Sequence, residues 1–422
     1  SILPIAAGIM LGCLFSVLAM RVYTGILGDL LYFPMHLRFP PGIILGAVFI
    51  SLTAVLVSAA IPDSRVARPT PVDAIRMEEG KEGFVFPNVD LNAGIQCGKC
   101  VKTCPVLEID RPNRKEPDCR AAYGADEIRK VSSSGAIFTL LADYVFQRGG
   151  VVYGVALNDE FEIEHRRITS MEELSALRRS KYVQSRVGLS YRQVKQDLKN
   201  GKTVLFSGTP CQNAGLRKYL GRTDTEKLIL ADIVCHGVPS QSVFNEYLKE
   251  RFPKDDLQEF LFRTKDAGQN CMVCLATRKD GSREISDINE DAFEKGFHKS
   301  LFLRESCAQC HFAAPPRQGD FTIGDFWGLE KYNPDYKDPL GVSEVLLNNE
   351  KADRIWMEIK PKLKFDEPVP VDFAVKHNRY RAKTRIHPDR ARFFELRGQA
   401  PLSVVVDAVL ENCSLEEVQK AR

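Results

Sequence analysis

The sequence predicts an α/β protein with a mainly parallel or mixed sheet covered by helices, preceded by a transmembrane helical hairpin and a remnant ferredoxin-like module. Strand and helix patterns alternate after residue 130, two long uncharged runs open the chain, and a cysteine cluster separates these regions. The 422 residues and 44% hydrophobic composition allow two or three domains. A net charge of +3 gives no field that would attract nucleic acid, so no nucleic-acid partner is expected.

The first part of the chain contains two runs long enough to cross a bilayer. Residues 2–20 and 39–62 carry no charged side chain, and each is expected to form a membrane-spanning helix. A buried hydrophobic hairpin is the alternative. Arg65, Arg68 and Arg76 follow the second run and place the later residues in the cytoplasm. We therefore expect a cytoplasmic catalytic part tethered to the inner membrane.

The stretch IPDSRVARPTPVDAIRMEEG resembles the C-terminus of an FtsX-type ABC transporter permease. The resemblance covers about the first eighty residues and implies two helices that run into a basic tail. The other helices of such a permease are absent from this sequence, so no transport activity is expected. Around Lys81 the sequence passes into the next module without a flexible linker, which suggests a gene fusion or an assembly artefact.

A cysteine cluster follows in the stretch GIQCGKCVKTCP. Its spacing is that of the bacterial ferredoxin motif C-x2-C-x2-C-x3-C-P, but Gly94 stands in the position of the first cysteine. Cys97 and Cys100 remain for this cluster. Cys104 lacks the cluster that it would bind, because the fourth cysteine of such a motif is a ligand to the cluster of a second motif. With Cys119 as the alternative ligand, we expect an impaired ferredoxin-like module.

The elements after this cluster alternate between helix and strand. SSSGAIFTLLADYVFQRGG predicts a helix that Gly149 and Gly150 end, and VVYGVAL predicts a buried strand. YRQVKQDLKNG predicts a helix that ends at Gly201, followed by the strand KTVLFSG, the loop TPCQNAG and the helix LRKYLG. LILADIVCHG repeats the strand and turn. CMVCLATRKDGSREI predicts strands joined by an Asp-Gly turn.

Four cysteines carry the predicted chemistry. Ligands of open α/β sheets gather beyond the carboxyl ends of the strands, and Cys211 and Cys235 each follow such a strand. Cys307 and Cys310 form a C-x2-C pair, a spacing at which both thiolates can face one metal site. These residues supply the four thiolates that a [4Fe–4S] cluster requires. A structural zinc ion held by the same thiolates is the alternative.

The remaining cysteines and two histidines have weaker functional signals. Cys271 and Cys274 lie in a predicted strand, where residues three apart face opposite sides, so a structural role is expected. Cys413 in the C-terminal tail is expected to be inert. His236 and His311 each follow a candidate ligand, and either can support that ligand by hydrogen bonding rather than act in catalysis.

A series of sequence blocks extends from about residue 82 to residue 395. In chain order they are EGFVFP, CGKCVKTCPVL, SSSGAIFTLLADYV, SKYVQS, FSGTPCQNAGL, DIVCHGVPS, SCAQCHFA, RQGDFTIGDFWG and GVSEVLLNN. On these blocks the chain resembles the coenzyme F-420 hydrogenase/dehydrogenase beta subunit family, in its bacterial form with an N-terminal ferredoxin-like module. The resemblance implies an oxidoreductase in which FAD exchanges a hydride and a [4Fe–4S] cluster passes single electrons.

The resemblance also implies the residues of the site. The cluster ligands would be Cys211, Cys235, Cys307 and Cys310. The residues that would bind the cofactor are Ser133, Ser134 and Gly135 at the pyrophosphate, together with Lys181, Tyr182, Thr209, Asp325 and Trp327. Ala136 stands where the family usually has a second glycine.

Five segments are expected: residues 1–80, 82–118, 119–255, 256–395 and 396–422. They correspond to the transmembrane and permease-like part, the ferredoxin-like module, an α/β domain, a β-rich α/β domain and a helical tail. The hydride donor or acceptor stays open among coenzyme F-420, a nicotinamide, a ferredoxin and an unsaturated small molecule, and a redox partner protein is expected. Two alternatives to an oxidoreductase remain, a zinc-stapled binding module and a nonfunctional fusion that carries a permease fragment.

Overall fold

The computed structural model describes residues 75–90, 97–254, 256–265, 273–378 and 384–421. The predicted transmembrane hairpin lies outside these residues, as do Gly94 and Cys271. Among the described residues, no helix is both long enough and apolar enough to span a bilayer.

The described part of the chain contains thirteen strands and twelve α-helices. The strands are β1 Ile75–Glu79, β2 Val85–Val89, β3 Asp118–Tyr123, β4 Val151–Leu157, β5 Ile163–Ile168, β6 Val204–Gly208, β7 Leu228–Ile233, β8 Leu257–Thr264, β9 Val273–Arg278, β10 Arg283–Asp287, β11 Phe321–Asp325, β12 Ser343–Leu347 and β13 Phe365–Pro368. The helices are α1 Lys99–Thr103, α2 Asp126–Lys130, α3 Ile137–Phe146, α4 Ser190–Lys199, α5 Pro210–Leu220, α6 Gln241–Arg251, α7 Ala292–His298, α8 Glu350–Ile359, α9 Val371–His377, α10 Arg390–Leu396, α11 Leu402–Leu410 and α12 Leu415–Ala421.

The main sheet has eight strands in the order β13-β3-β12-β11-β7-β6-β4-β5. Its central strands β4, β6, β7 and β11 are parallel, and the strands on both sides of them are antiparallel. The central strands read as continuous apolar runs because helices cover both faces of the sheet. The predicted α/β fold with a mixed sheet is therefore confirmed.

A smaller antiparallel sheet, β10-β9-β8, forms a second layer of the fold. The predicted Asp-Gly turn joins β9 to β10, with Gly281 at a φ of 84° that favours glycine. This sheet packs on α6 and α7 through a cluster of buried aromatic rings that includes Phe244, Phe262 and Phe293.

The prediction that TPCQNAG forms a loop is wrong, because helix α5 already begins at Pro210. Thr209 caps the helix, and Gln212 completes a capping box with it. Proline is favoured in the first helical turn, where its missing N–H is not needed. Cys211 therefore lies on the first turn of a helix rather than in a loop.

The seam predicted near Lys81 is the turn of a β hairpin. Strands β1 and β2 pair in an antiparallel register from Ile75 opposite Val89 to Glu79 opposite Val85. The end of the permease-like stretch and the start of the next module thus belong to one local structure.

Candidate functional site

The four candidate thiols lie at one edge of the main sheet. Strands β6 and β7 are parallel neighbours, so their carboxyl ends share the edge from which Cys211 and Cys235 project. Cys307 and Cys310 come from a 3₁₀ turn at Glu305–Gln309 and the residue that follows it. This arrangement is the one expected from the sequence for the two strand-end cysteines.

All six pairs among these four cysteines interact electrostatically. Burial raises the pKa of the Cys211 thiol, and charge on Cys310 raises it further. Burial raises the pKa of Cys235 strongly, with contributions from Cys211, Cys307 and Cys310, and it raises the pKa of Cys307 to about 11. Cys211 is nevertheless exposed. Protein atoms surround this thiol in a recess at the sheet edge, although part of the Cys211 residue stays exposed.

Neighbouring groups shape this recess, hereafter the thiol recess of Cys211, Cys235, Cys307 and Cys310. A Cβ atom on Gly237 would lie 2.7 Å from Leu303 Cδ1, and the residue has a φ of 126°, so only glycine fits between Cys235 and the 3₁₀ turn. The Thr209 hydroxyl lies 3.1 Å from Cys211 Sγ. Because the helix cap fixes its side chain, Thr209 positions the thiol.

Arg304 is a basic residue next to the thiols. Charges on Cys307 and Cys211 favour its protonated form, although burial lowers the pKa of Arg304. Its guanidinium also donates to Val85 O at 3.2 Å and packs over the Phe86 ring at 4.3 Å. The residue therefore links strand β2 to the thiol recess.

The predicted flavin residues Tyr182, Asp325 and Trp327 come together around Arg263, a buried residue on β8. Arg263 forms an ion pair with Asp325 and lies 5.5 Å from the centre of the Trp327 ring. The charge of Arg263 also stabilises the Tyr182 phenolate, while burial raises the pKa of Tyr182 to about 12. Sequence reasoning missed Arg263, and its only signal was a charged side chain in the otherwise apolar end of the strand LQEFLFRT.

The predicted phosphate residues form a turn whose polar atoms are largely paired. Ser134 donates to Val342 O at 2.9 Å, and the Gly135 amide donates to Ser343 Oγ at 2.9 Å. Ser133 Oγ lies 3.1 Å from Ser180 Oγ. Helix α3 follows directly, with Ala136 as its N-cap at a φ of 70°. Alanine thus adopts the left-handed conformation that glycine adopts more readily.

Two lysines with lowered pKa flank this turn. Lys181 Nζ donates to Ala176 O at 3.0 Å, and burial together with Arg179 and Arg166 lowers its pKa to about 7. Lys265, which sequence reasoning missed, donates to Ser134 O at 3.0 Å.

Burial together with Arg129 and Arg263 lowers the pKa of Lys265 to about 8. For both lysines burial is the larger cause, and backbone carbonyl oxygens hold both side-chain nitrogens.

Aromatic rings connect the thiol recess to the Arg263 pocket, meaning the pocket of Arg263, Tyr182, Asp325 and Trp327. His236, next to Cys235, lies 5.4 Å from the Phe297 ring, and Phe297 stacks on Tyr182 at 4.6 Å. Ser300 Oγ lies 3.0 Å from His236 Nε2. The two parts of the candidate site are therefore separated by a short row of packed rings.

The other cysteines lie apart from this site. Cys97 and Cys100 are exposed and Cys104 is half-buried, at helix α1, which packs against α5. Cys119 is buried in strand β3 within an apolar cluster. Cys274 is buried in β9, which agrees with a structural role.

No group of three or more His, Cys, Asp or Glu side chains in the described ranges converges on a single metal ion. A structural zinc site requires four ligands at about 2.0–2.3 Å from one centre. A [4Fe–4S] cluster instead spreads its four thiolate ligands over a group of iron and sulfide atoms.

Comparison with known proteins gives one family match. Residues 201–370 match the family that is described as the C terminus of the coenzyme F420 hydrogenase/dehydrogenase beta subunit. No curated protein matches the chain. The resemblance of residues 1–80 to an FtsX-type permease finds no support.

Among solved structures, the chain is similar to one titled as a xenon derivatization of the F420-reducing [NiFe] hydrogenase complex from Methanosarcina barkeri. That similarity has a TM-score of 0.44 and 15% sequence identity, and it covers 71% of this chain and 91% of the other. The matched residues 201–370 include all four thiols of the recess. Residues 201–370 of this chain are thus similar to the C-terminal part of the coenzyme F420 hydrogenase/dehydrogenase beta subunit family.

Proposed function

We propose that this chain is an iron–sulfur flavoprotein oxidoreductase of the beta subunit type. Cys211, Cys235, Cys307 and Cys310 would hold a [4Fe–4S] cluster, and the Arg263 pocket would hold the flavin ring of FAD. The observation that carries this proposal is the mutual interaction of all four thiols within one recess. Such clusters are held by four thiolates, and a flavin can take up two electrons and release them one at a time.

The chain's own residues have distinct roles in this proposal. The turn Ser133–Gly135 at the start of helix α3 would bind the pyrophosphate, and Lys265 lies beside this turn because it donates to Ser134 O. Trp327 is 43% exposed and can cover one face of a planar ring. The row formed by His236, Phe297 and Tyr182 excludes water between the two redox groups and keeps them close.

The partners and the location follow from the same proposal. A small-molecule hydride donor or acceptor would enter at the exposed Trp327, and coenzyme F-420 is the candidate that the family name supplies. A redox partner protein or ferredoxin would exchange single electrons near Cys97 and Cys100, which are exposed. We place the catalytic part in the cytoplasm and its tether in the inner membrane, on the basis of the uncharged runs before Arg65.

Anaerobic purification tests the proposal directly. We expect about four iron atoms with acid-labile sulfide in the thiol recess and one FAD per chain. Cys235→Ser removes a thiolate ligand and abolishes the visible absorption of the cluster. Cys413→Ser, the same change at a half-buried cysteine of the C-terminal tail, leaves that absorption intact.

Three outcomes would reject the proposal or favour an alternative. A colourless protein without iron and flavin contradicts it. Zinc without acid-labile sulfide supports a binding module instead. If sequencing shows that the coding DNA is not continuous around Lys81, the permease-like part does not belong to this protein.

A further inference from the structure

Glu294 on helix α7 is a buried acid with no role in the proposed cofactor site. Its side chain is 0% exposed, and among the described residues neither of its carboxyl oxygens has a hydrogen-bond partner. Burial raises the pKa of the Glu294 carboxyl well above its usual value, Asp291 adds to this effect and Arg263 opposes it. Burial without a hydrogen-bond partner thus favours the protonated form of the Glu294 carboxyl, which holds a proton that it can donate.

His298 lies one helical turn after Glu294, on the same face of α7. Its Nε2 is 3.5 Å from Glu294 Oε2, and within the described part of the chain this nitrogen has no hydrogen-bond partner either. The His298 side chain is 31% exposed, unlike that of Glu294. The pair thus extends from a fully buried carboxyl to a ring that solvent reaches.

The inner end of the pair faces the Arg263 pocket. Charge on Glu294 raises the pKa of Tyr182, whose ring stacks on Phe297 of the same helix. The charged and titratable groups around the pair come from several elements. They are Asp291 of the α7 cap, Arg263 of β8, Cys274 of β9, Tyr182 of the 180–185 segment and His236 after β7.

We propose that Glu294 and His298 form a proton relay between solvent and the Arg263 pocket. The relay rests on the proposed function, because hydride uptake by an acceptor adds two electrons and one proton and leaves the acceptor one proton short of its neutral reduced form. Glu294 gives up its carboxyl proton for each hydride taken up. The Glu294 carboxylate, stabilised by Arg263, then regains a proton from His298 Nε2, while the other ring nitrogen, Nδ1, takes up a proton from solvent.

The proton on Glu294 can be measured without any cofactor. Infrared spectra of the wild-type protein are expected to show a carboxylic-acid C=O band above neutral pH, with a shift on transfer to D₂O. Glu294→Gln, which has nearly the same shape, removes this band. Glu290→Gln is the matched control, because Glu290 is exposed and lies just before the same helix. A wild-type spectrum without the band above neutral pH overturns the relay.

Kinetics of the loaded protein then test the role. Glu294→Gln lowers the turnover of hydride transfer by about 10²–10⁴-fold, the usual contribution of a general acid, and leaves the KM of the hydride donor unchanged. His298→Asn slows turnover as well, and added imidazole restores part of the rate.

An unchanged pH profile and rate in Glu294→Gln with normal flavin and iron content would show that Glu294 is only structural. If the wild-type protein binds neither flavin nor iron, the proposed function is rejected, whereas the infrared test of the Glu294 proton remains valid.

Discussion

His165 shows how a single buried residue links stability to pH. It stacks on Phe206 at 4.8 Å and lies 3.1 Å from Ser185 Oγ, so its surroundings stabilise the neutral ring. Burial lowers the pKa of His165 from 6.5 to about 4. The unfolded chain therefore takes up a proton between these two pH values, whereas the folded protein does not.

The expected consequence is a loss of stability in acid. As pH falls from 6.5 to about 4, the free energy of unfolding decreases by up to about 3 kcal/mol through His165. His298 contributes less, because its ring is 31% exposed. Urea unfolding at a series of pH values measures the effect. His165→Gln should flatten the profile in this window, and an unchanged slope would assign the loss to other groups.

At the scale of single elements, the start of helix α5 determines where Cys211 lies. Thr209 is the N-cap, Pro210 opens the helix and the Gln212 side chain accepts a hydrogen bond from the Thr209 amide, so three neighbouring residues position one thiol. The Thr209 hydroxyl contacts Cys211 Sγ as well. Thr209 therefore positions Cys211 both by direct contact and through the helix that it caps.

Thr209→Ala is expected to lower the free energy of unfolding by about 1 kcal/mol, since the capping hydrogen bond is lost. The iron content should fall as well, because the first turn that carries Cys211 loses its anchor. Thr209→Ser keeps the hydroxyl and serves as the matched control. Urea unfolding and iron analysis on the three proteins measure both effects. Normal iron content in Thr209→Ala would show that the cap is not needed to position the thiol.

At the scale of the whole molecule, Glu82 joins the start of the described chain to its end. Its carboxylate accepts two hydrogen bonds from Arg390, which is 8% exposed, and its carbonyl accepts one from Arg397 at 3.1 Å. Ser240 also donates to that carbonyl at 2.9 Å. The turn next to the predicted seam is therefore part of the same folded unit as Arg390 and Arg397.

Glu82→Gln is expected to destabilise the protein by about 1–3 kcal/mol, because a hydrogen bond to a charged group is weakened and the buried Arg390 loses its counter-charge. The effect is limited by the 34% exposure of the Glu82 side chain. Glu79→Gln on the exposed face of the same hairpin is the control. Equal midpoints for the two variants in urea unfolding would mean that the contact between the two ends adds no stability.

Much of the architecture was predictable from local sequence. The apolar runs of β4, β6 and β7, the glycines that follow α3 and the Asp-Gly turn before β10 were all expected, since each depends on neighbouring residues. The first turn of α5 was not predicted as a helix, because Asn213 and Gly215 favour a loop in isolation. In the structure, the packing of Gly215 against Tyr191 and the cap at Thr209 stabilise the helix despite this local preference.

The sequence by itself determined the sheet, its helices and the four cysteines, because apolar periodicity and the C-x2-C spacing are local properties. Only the tertiary structure brought Arg263 to Asp325 and Trp327, placed Lys265 beside Ser134 and left Glu294 buried next to His298. Most of these contacts join residues far apart in the chain. Their chemistry depends on burial and on neighbouring charges, and neither can be read from a single stretch of residues.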